Sequence, residues 1–97
     1  MRIRLLAHAQ TDLCKGFSFY EAQLKGLGSY FLDSLSAEID SLVIYAGIHP
    51  LVYGSFHRLL AKRFPFAVYY RLSDDVVSIY AILDCRRNPE RIKKRLK

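Results

Sequence analysis

Two adjacent arginines, Arg86 and Arg87, are the residues of this chain whose type and position first suggest chemistry. They follow a long apolar run and precede a helix-start signal, so they should lie in a turn at the end of a strand. A guanidinium group makes bidentate hydrogen bonds to phosphates and carboxylates, so the pair could contact a phosphate or an acidic partner. The structural alternative is that one of them simply pairs with Asp84 or Glu90.

Three earlier residues could take part in similar chemistry. Arg58 and Arg63 flank the predicted second and third strands, and both could point into one concave surface of the sheet. His57 stands next to Arg58, which would place a proton-transfer group beside a cation, as general acid–base catalysis requires. The alternatives are a structural hydrogen bond for the histidine and ordinary exposed strand charges for the arginines.

The excess positive charge is confined to the C-terminal end. Residues 1–85 contain eight Lys and Arg and eight Asp and Glu, whereas residues 86–97 contain seven basic residues and Glu90 alone. The whole formal net charge of +6 therefore belongs to this last segment, which includes Arg91. Such a cluster attracts nucleic acid or an acidic protein surface, although a basic terminal helix can also serve solubility alone.

Cysteine and histidine usage does not indicate a metal site or a disulfide framework. The chain has no CxxC, and its three histidines do not complete a zinc pattern. We expect Cys14 and Cys85 to be reduced thiols, with a nucleophilic Cys85 beside Arg86 as the alternative. Neither a metal nor another cofactor is predicted.

Two features of the hydropathy pattern bear on where the protein resides. No apolar run approaches the roughly 20 residues that span a bilayer. The apolar stretch near the N-terminus is too short for the hydrophobic region of a secretory signal. We therefore expect a cytoplasmic protein with no membrane partner.

Periodicity sets out the elements that must hold the candidate residues. The predicted elements are a strand at 2–7, helices at about 9–25 and 28–46, strands at about 54–61, 64–72 and 76–83, and a helix at 89–96. The apolar stripe of the first helix comprises Leu13, Phe17, Tyr20 and Leu24. Gly26-Leu27-Gly28 is a short turn, so the first two helices should form an antiparallel hairpin.

The last two strands predict a two-sided sheet. Val68, Tyr70 and Leu72 should face one side, and Ala67, Tyr69 and Arg71 the other. In the final strand, the residues expected to share one face are Val77, Ile79, Ala81 and Leu83. Both faces are rather apolar, so one should be the main core and the other covered by a terminal element or a partner.

A short basic helix should close the chain. Asn88-Pro89-Glu90 combines an N-cap residue, a proline at the first helical position and an acid in the first turn. The order β-α-α-β-β-β-α predicts a single α+β domain over residues 1–97. In it, a helical hairpin packs on a small, mainly antiparallel sheet with a short C-terminal helix.

Several segments in this order carry a family resemblance. They are Asp12-Leu13, FYEAQ (19–23), GLGSYFLDSL (26–35), HRLLAKRFPFAVYYRL (57–72) and AILDCRRNPERIKKRL (81–96). Together they resemble the RelE/ParE superfamily, the toxins of type II toxin–antitoxin pairs, over nearly the whole length. No single segment is a catalytic signature.

The RelE-like branch would imply a ribonuclease that cuts messenger RNA in the ribosome. Such chemistry needs cations at the scissile phosphate and a group that moves protons. This sequence departs from that branch, because Phe66 replaces an arginine, and His57 and Leu59 fall at lysine positions. Toward the C-terminus, Asn88 and Ile92 stand where that branch has an arginine and an aromatic or histidine. A shift of one residue would recover Arg87 or Arg58. In this alternative the catalytic residues would be His57, Arg58, Arg63 and Arg87.

The ParE-like branch resembles the chain better, with its FYR-type strand, a following apolar strand and an arginine-rich turn. This resemblance implies a growth-inhibiting, plasmid-stabilising toxin that poisons DNA gyrase by binding and is neutralised by a ParD/RelB-like antitoxin. DNA would be contacted only indirectly, through the antitoxin complex. The target-binding residues would be Arg58, Arg63, Arg86, Arg87 and Arg91. A third possibility is an inactive member that binds only its antitoxin.

Overall fold

Five strands and four helices make up the computed structural model, which describes residues 1–96. The strands are β1 (Arg2–Leu5), β2 (Leu51–Val52), β3 (Phe56–Leu60), β4 (Phe66–Ser73) and β5 (Val76–Asp84). The helices are α1 (Ala7–Gln23), α2 (Leu27–Asp40), α3 (Leu42–Tyr45) and α4 (Pro89–Arg95). Lys97, the last residue of the basic segment, lies outside the described residues.

The strands form one mainly antiparallel sheet with the order β1-β5-β4-β3-β2. Only β1 and β5 run parallel, and the other neighbouring pairs are antiparallel. Asp74 and Asp75 connect β4 to β5 with φ angles of 50° and 62°, the positive values that a type I′ hairpin turn requires. The predicted α+β fold and its order of elements are confirmed.

Two short elements are additions to the predicted order. The helix predicted over 28–46 breaks at Ser41, whose hydroxyl donates to the Glu38 carbonyl at 2.6 Å, and continues as α3. A serine hydroxyl that bonds nearby backbone in this way competes with the helical pattern. The two-residue strand β2 pairs with β3, as in Leu51 opposite His57, and is too short to give an alternating signal.

Different helices cover the two faces of the sheet. Side chains on the first face pack with α1 and α2 in the larger core, which includes Leu59, Val68, Tyr70, Val77, Ile79 and Ile82. The second face carries a smaller core of Phe56, Ala67, Tyr69, Ala81 and Leu83 together with Ile92 and Leu96. The basic C-terminal helix is thus the terminal element that covers the second face.

A β-bulge in β5 breaks the predicted alternation. Tyr69 of β4 pairs with Ala81, whereas the next residue, Tyr70, pairs with Ile79, so Tyr80 is an extra residue. The prediction that Val77, Ile79, Ala81 and Leu83 share one face is wrong. Past the bulge, Ala81 and Leu83 join the smaller core, while Ile82 joins the larger one.

The buried face of α1 also differs from the predicted stripe. Its buried residues are Ala9, Asp12, Gly16 and Tyr20. Of the predicted stripe, Leu13 and Phe17 are only half-buried, and Leu24 lies past the end of the helix with 65% exposure. Two non-apolar positions, Asp12 and Gly16, face inward because one makes a buried ion pair and the other leaves room for Phe31.

The turn between α1 and α2 is fixed by the side chain of Glu21. Its carboxylate accepts hydrogen bonds from the Gly26 amide at 3.0 and 3.1 Å and from the Gly28 amide at 2.9 Å. Amides at the start of a helix have no acceptor within the helix, and a negative charge there is favourable. Glu21 therefore caps the second helix of the hairpin from the end of the first.

Replacing Glu21 with alanine is expected to lower the free energy of unfolding by about 1–2 kcal/mol, the usual cost of removing a cap. Urea unfolding followed by far-UV circular dichroism measures this change. Gln23→Ala, an exposed change on the last turn of α1, serves as the control and should cost less than about 0.5 kcal/mol. Equal effects of the two substitutions would show that the carboxylate does not stabilise the turn.

Candidate target-binding surface

A cleft of about 450 Å³ lies where α1 passes the end of β5, and we call it the basic cleft. It is lined by Asp12, Lys15, Gly16, Phe19, Phe66, Ile82, Asp84, Arg86 and Arg87. Successive turns of helix α1 form one wall of the cleft. The loop that follows β5 supplies Arg86 and Arg87. The lining carries three cations and two carboxylates.

Arg86 is already occupied within the chain. Its Nε and Nη2 donate to the two oxygens of Asp84 at 3.0 and 2.7 Å, and its backbone amide donates to the same carboxylate at 2.8 Å. The side-chain hydrogen bond from Arg86 holds the pKa of Asp84 below its ordinary value, although burial acts in the opposite direction. Because of this bidentate contact with Asp84, the charge of Arg86 is largely compensated, although its side chain is exposed to solvent.

Arg87 and Lys15 carry the uncompensated charge of the basic cleft. The Arg87 amide donates to the Asp84 carbonyl at 3.1 Å, which fixes its backbone in the turn, while its side chain is exposed. Within residues 1–96, neither Arg87 nor Lys15 forms an ion pair. Both are therefore available to an anionic group that enters the cleft.

Asp12 forms the floor of the basic cleft and ties three elements together. Its carboxylate accepts two hydrogen bonds from Arg95 of α4, at 2.8 and 2.9 Å, and one from the Ile82 amide of β5 at 3.0 Å. The hydrogen bond from Arg95 to Asp12 raises the pKa of the arginine, and burial opposes this. Because Asp12 is saturated by these donors, it has a structural role in the cleft.

Helix α4 presents a basic ridge beside the cleft. Asn88 accepts a hydrogen bond from the Glu90 amide at 2.9 Å, and Pro89 opens the helix, as its cap signal predicts. Ile92 and Leu96 are buried against the sheet, which leaves the remaining positions outside. The exposed cations of this ridge are Arg91, Lys93 and Lys94.

Arg58 and Arg63 do not share a surface. Arg58 lies on β3 opposite Tyr69, on the sheet face that α4 covers, and its buried Nε has no hydrogen-bond partner among the described residues. Arg63 lies in the loop between β3 and β4, where it lines a separate pocket of about 350 Å³ along α2 with Glu38. The structure therefore places each of them apart from the basic cleft.

His57 lies on the opposite face of the sheet from Arg58. Its Nδ1 is 2.8 Å from the His49 carbonyl, and its ring stacks on Tyr70 with a centroid distance of 5.0 Å. The histidine thus makes a structural hydrogen bond on the side of the helical hairpin. The residues of the nuclease alternative, His57, Arg58, Arg63 and Arg87, are distributed over separate places.

Three residues of the candidate surface were not singled out by sequence reasoning. Lys15 and Phe19 follow Asp12 along α1, but both lie outside the apolar stripe that the periodicity indicated. Arg95 gave no signal of its own, because six other Lys or Arg residues lie in the same last segment. Their roles depend on how α1, β5 and α4 pack together, which the sequence pattern does not indicate.

Of three comparisons with known proteins, the one with solved structures found matches. No family model matches the chain, and the search of curated proteins found no match. Ten solved chains match it in structure. One of them belongs to the chromosomal ParDE TA system from P. aeruginosa, with a TM-score of 0.78 and 17% sequence identity, covering 84% of this chain and 92% of that chain.

This likeness establishes the fold. The protein has the same fold as a chain of the ParDE TA system, and the fold implied by the RelE/ParE resemblance is confirmed. In the described chain, no helix is both long and apolar enough to cross a membrane. Both cysteines are free and exposed.

Proposed function

We propose that this protein is the toxin of a type II toxin–antitoxin module, acts in the cytoplasm and inhibits growth by binding DNA gyrase. The observation that carries the proposal is a fold shared with a ParDE TA system, combined with a surface on which Arg87 and Lys15 have no ion-pair partner among residues 1–96. A cognate ParD/RelB-like antitoxin would keep the toxin inactive.

The arrangement of charges favours binding over phosphodiester cleavage. Cleavage needs cations and a proton-transfer group around one phosphate. In the basic cleft, the two acids are Asp84, which Arg86 holds in the ionised form, and Asp12, which Arg95 and the Ile82 amide saturate. His57 lies on the side of the helical hairpin, hydrogen-bonded to the His49 carbonyl. Among the described residues, the cleft therefore offers cations, Lys15 included, but no histidine and no carboxylate that is free to move a proton.

An anionic surface of the target would contact Arg87 and Lys15 first. Arg87 can make a bidentate contact, and Lys15 adds a point charge from the opposite wall. The ridge of Arg91, Lys93 and Lys94 on α4 extends the positive potential beyond the cleft and would increase the association rate. Phe19, which is 56% exposed at the cleft, supplies apolar contact area.

A separate apolar groove suits the antitoxin. It has a volume of about 510 Å³ and lies between α1, α2 and β1, with Leu5, Leu13, Phe17 and Leu32 in its lining. An amphipathic helix binds such a groove through its apolar face. Acidic residues elsewhere on the antitoxin would be attracted by the basic end of the toxin, which speeds association.

Expression of the protein without an antitoxin tests the proposal. We expect growth arrest, induction of the DNA-damage response and gyrase-dependent linearisation of plasmid DNA, with messenger RNA intact. Ribosome-bound messages cut at defined codon positions would instead support the endoribonuclease alternative. Neither effect, together with intact antitoxin binding, would show that this copy binds its antitoxin without acting as a toxin.

Charge reversal at Arg87 tests the surface itself. Arg87→Glu is expected to weaken gyrase binding at least about tenfold, since a repulsive contact at an interface costs more than the 1.4 kcal/mol that a factor of ten represents. Surface plasmon resonance at two salt concentrations measures the loss. Lys25→Glu, an equal charge change at the hairpin turn, is the control. Equal weakening by both would show that only overall charge matters.

A further inference from the structure

The segment that joins α3 to β2, residues 46–50, ends at Pro50, whose carbonyl accepts from the Arg58 amide of β3 at 2.9 Å. Before Pro50, the segment is held to the sheet by a polar cluster outside the basic cleft. The cluster consists of Gly47 and His49 in the segment, His57 on β3 and Tyr70 on β4. Tyr70 is fully buried, and its hydroxyl is the centre of the cluster. The proposed toxin function uses none of these residues.

Hydrogen-bond directions in the cluster assign the state of both histidines. The Gly47 amide donates to the Tyr70 oxygen at 2.9 Å, so the phenol hydrogen is free to go to His49 Nδ1, which lies 2.5 Å away. The Gly47 amide can only donate, so we assign His49 Nδ1, the other atom in hydrogen-bond contact with the Tyr70 oxygen, as the acceptor of the phenol hydrogen, which makes the His49 ring neutral. The His49 carbonyl can only accept, so His57 Nδ1, 2.8 Å from it, carries the hydrogen.

We propose that this cluster is a pH-sensitive latch, which holds residues 46–49 on the sheet while His49 is neutral and releases them when it is protonated. A proton on His49 Nδ1 leaves the buried phenol hydrogen without its acceptor. An unsatisfied buried donor is costly, and so is a positive charge that burial partly removes from water. Neither cost arises in the released form, because water solvates the segment.

The groups around the His49 ring support this direction of change. They are His57 from β3, Tyr70 from β4 and Glu38 from α2. Burial lowers the pKa of His49, His57 lowers it further and Glu38 opposes both. In the released segment, His49 would return to its ordinary pKa of about 6.5. The latched form therefore binds fewer protons, and its stability is lost as the pH falls from about 6.5 through the lowered pKa.

The latch sits beside exposed apolar side chains. Ile44 and Ile48 are 75% and 72% exposed, and Leu51 at the start of β2 is 60% exposed. Ile48 lies within the latched segment, between two of its attachment points at Gly47 and His49. Release would therefore change the shape of this apolar surface without unfolding the sheet.

Amide hydrogen exchange of the full chain, read by NMR, tests the latch through the Gly47 amide. Protection of Gly47 is expected to fall by up to about tenfold between about pH 7.5 and about pH 5.5, after correction for intrinsic exchange, since protonation of the released form alone would favour release by that factor one unit below an ordinary histidine pKa. Nitrogen chemical shifts should show the His49 ring in the tautomer with hydrogen on Nε2. Amides in β4 and β5 should keep their protection.

Two variants separate the latch from general effects of acid. Tyr70→Phe removes the central hydroxyl, so Gly47 should be weakly protected at both pH values and no longer respond to pH. His8→Gln changes an exposed histidine on α1 and should leave the response intact. The proposal is overturned if Gly47 protection does not depend on pH, if Tyr70→Phe responds like the wild type, or if β4 and β5 lose protection together with Gly47. Toxicity plays no part in this readout.

Discussion

Replacing Asp12 with alanine is expected to lower the free energy of unfolding by about 3 kcal/mol, near the lower end of the cost of breaking a buried ion pair. The substitution removes two hydrogen bonds to Arg95 and one to the Ile82 amide. Asp12 is 7% exposed and Arg95 28% exposed, so water can partly rehydrate the abandoned guanidinium but not the backbone amide of β5. Urea unfolding of both proteins measures the difference.

A second readout locates the effect of the Asp12 substitution. The ion pair is the polar attachment of α4 to α1, so α4 amides should lose more hydrogen-exchange protection than those of α2. Asp33→Ala removes an exposed carboxylate from α2 and is the matched control. A loss below about 1 kcal/mol for Asp12→Ala would contradict a structural role, since exposed ion pairs contribute that little.

The sheet and hairpin were predictable because their signals are local. Alternation marks the strands, the Asp74-Asp75 pair marks the turn between β4 and β5, and Asn88-Pro89 marks the start of α4. The bulge at Tyr80 left no such signal, since the residues on both sides of it are apolar. As a result, the apolar pattern alone assigned Ala81 and Leu83 to the wrong face.

The candidate surface was predictable only in outline. The sequence placed Arg86 and Arg87 in a basic turn after the last strand, and in the structure both line one cleft. Asp84 compensates the charge of Arg86 and not that of Arg87. This choice depends on where the Asp84 oxygens lie, and the spacing of the residues in the sequence does not indicate it. The ion pair between Asp12 and Arg95 joins residues 83 positions apart in the sequence. It forms only because α1 and α4 meet at the end of β5, beyond the residues that pair with β1. Long-range pairs of this kind leave no periodic pattern.

Replacing Gly28 with alanine is expected to cost about 2–3 kcal/mol, the upper part of the range for an overpacked site. A Cβ at this position would lie 2.7 Å from the Phe17 carbonyl oxygen and 2.9 Å from Glu21 Cβ. Backbone of α1 cannot move aside as a flexible side chain can, so α2 must shift away from α1. That shift also lengthens the hydrogen bond from the Gly28 amide to Glu21, now 2.9 Å.

The sign of the Gly28 result decides between packing and helix propensity. Alanine favours a helix over glycine by roughly 1 kcal/mol, so propensity alone predicts a more stable protein. Close approach of the two helices predicts a less stable one with lower hydrogen-exchange protection at the hairpin turn. Ser29→Ala, the next residue and exposed, gains propensity without a clash and should not destabilise the protein. If Gly28→Ala behaved like Ser29→Ala in thermal and urea unfolding, the hairpin would not depend on backbone contact at this glycine.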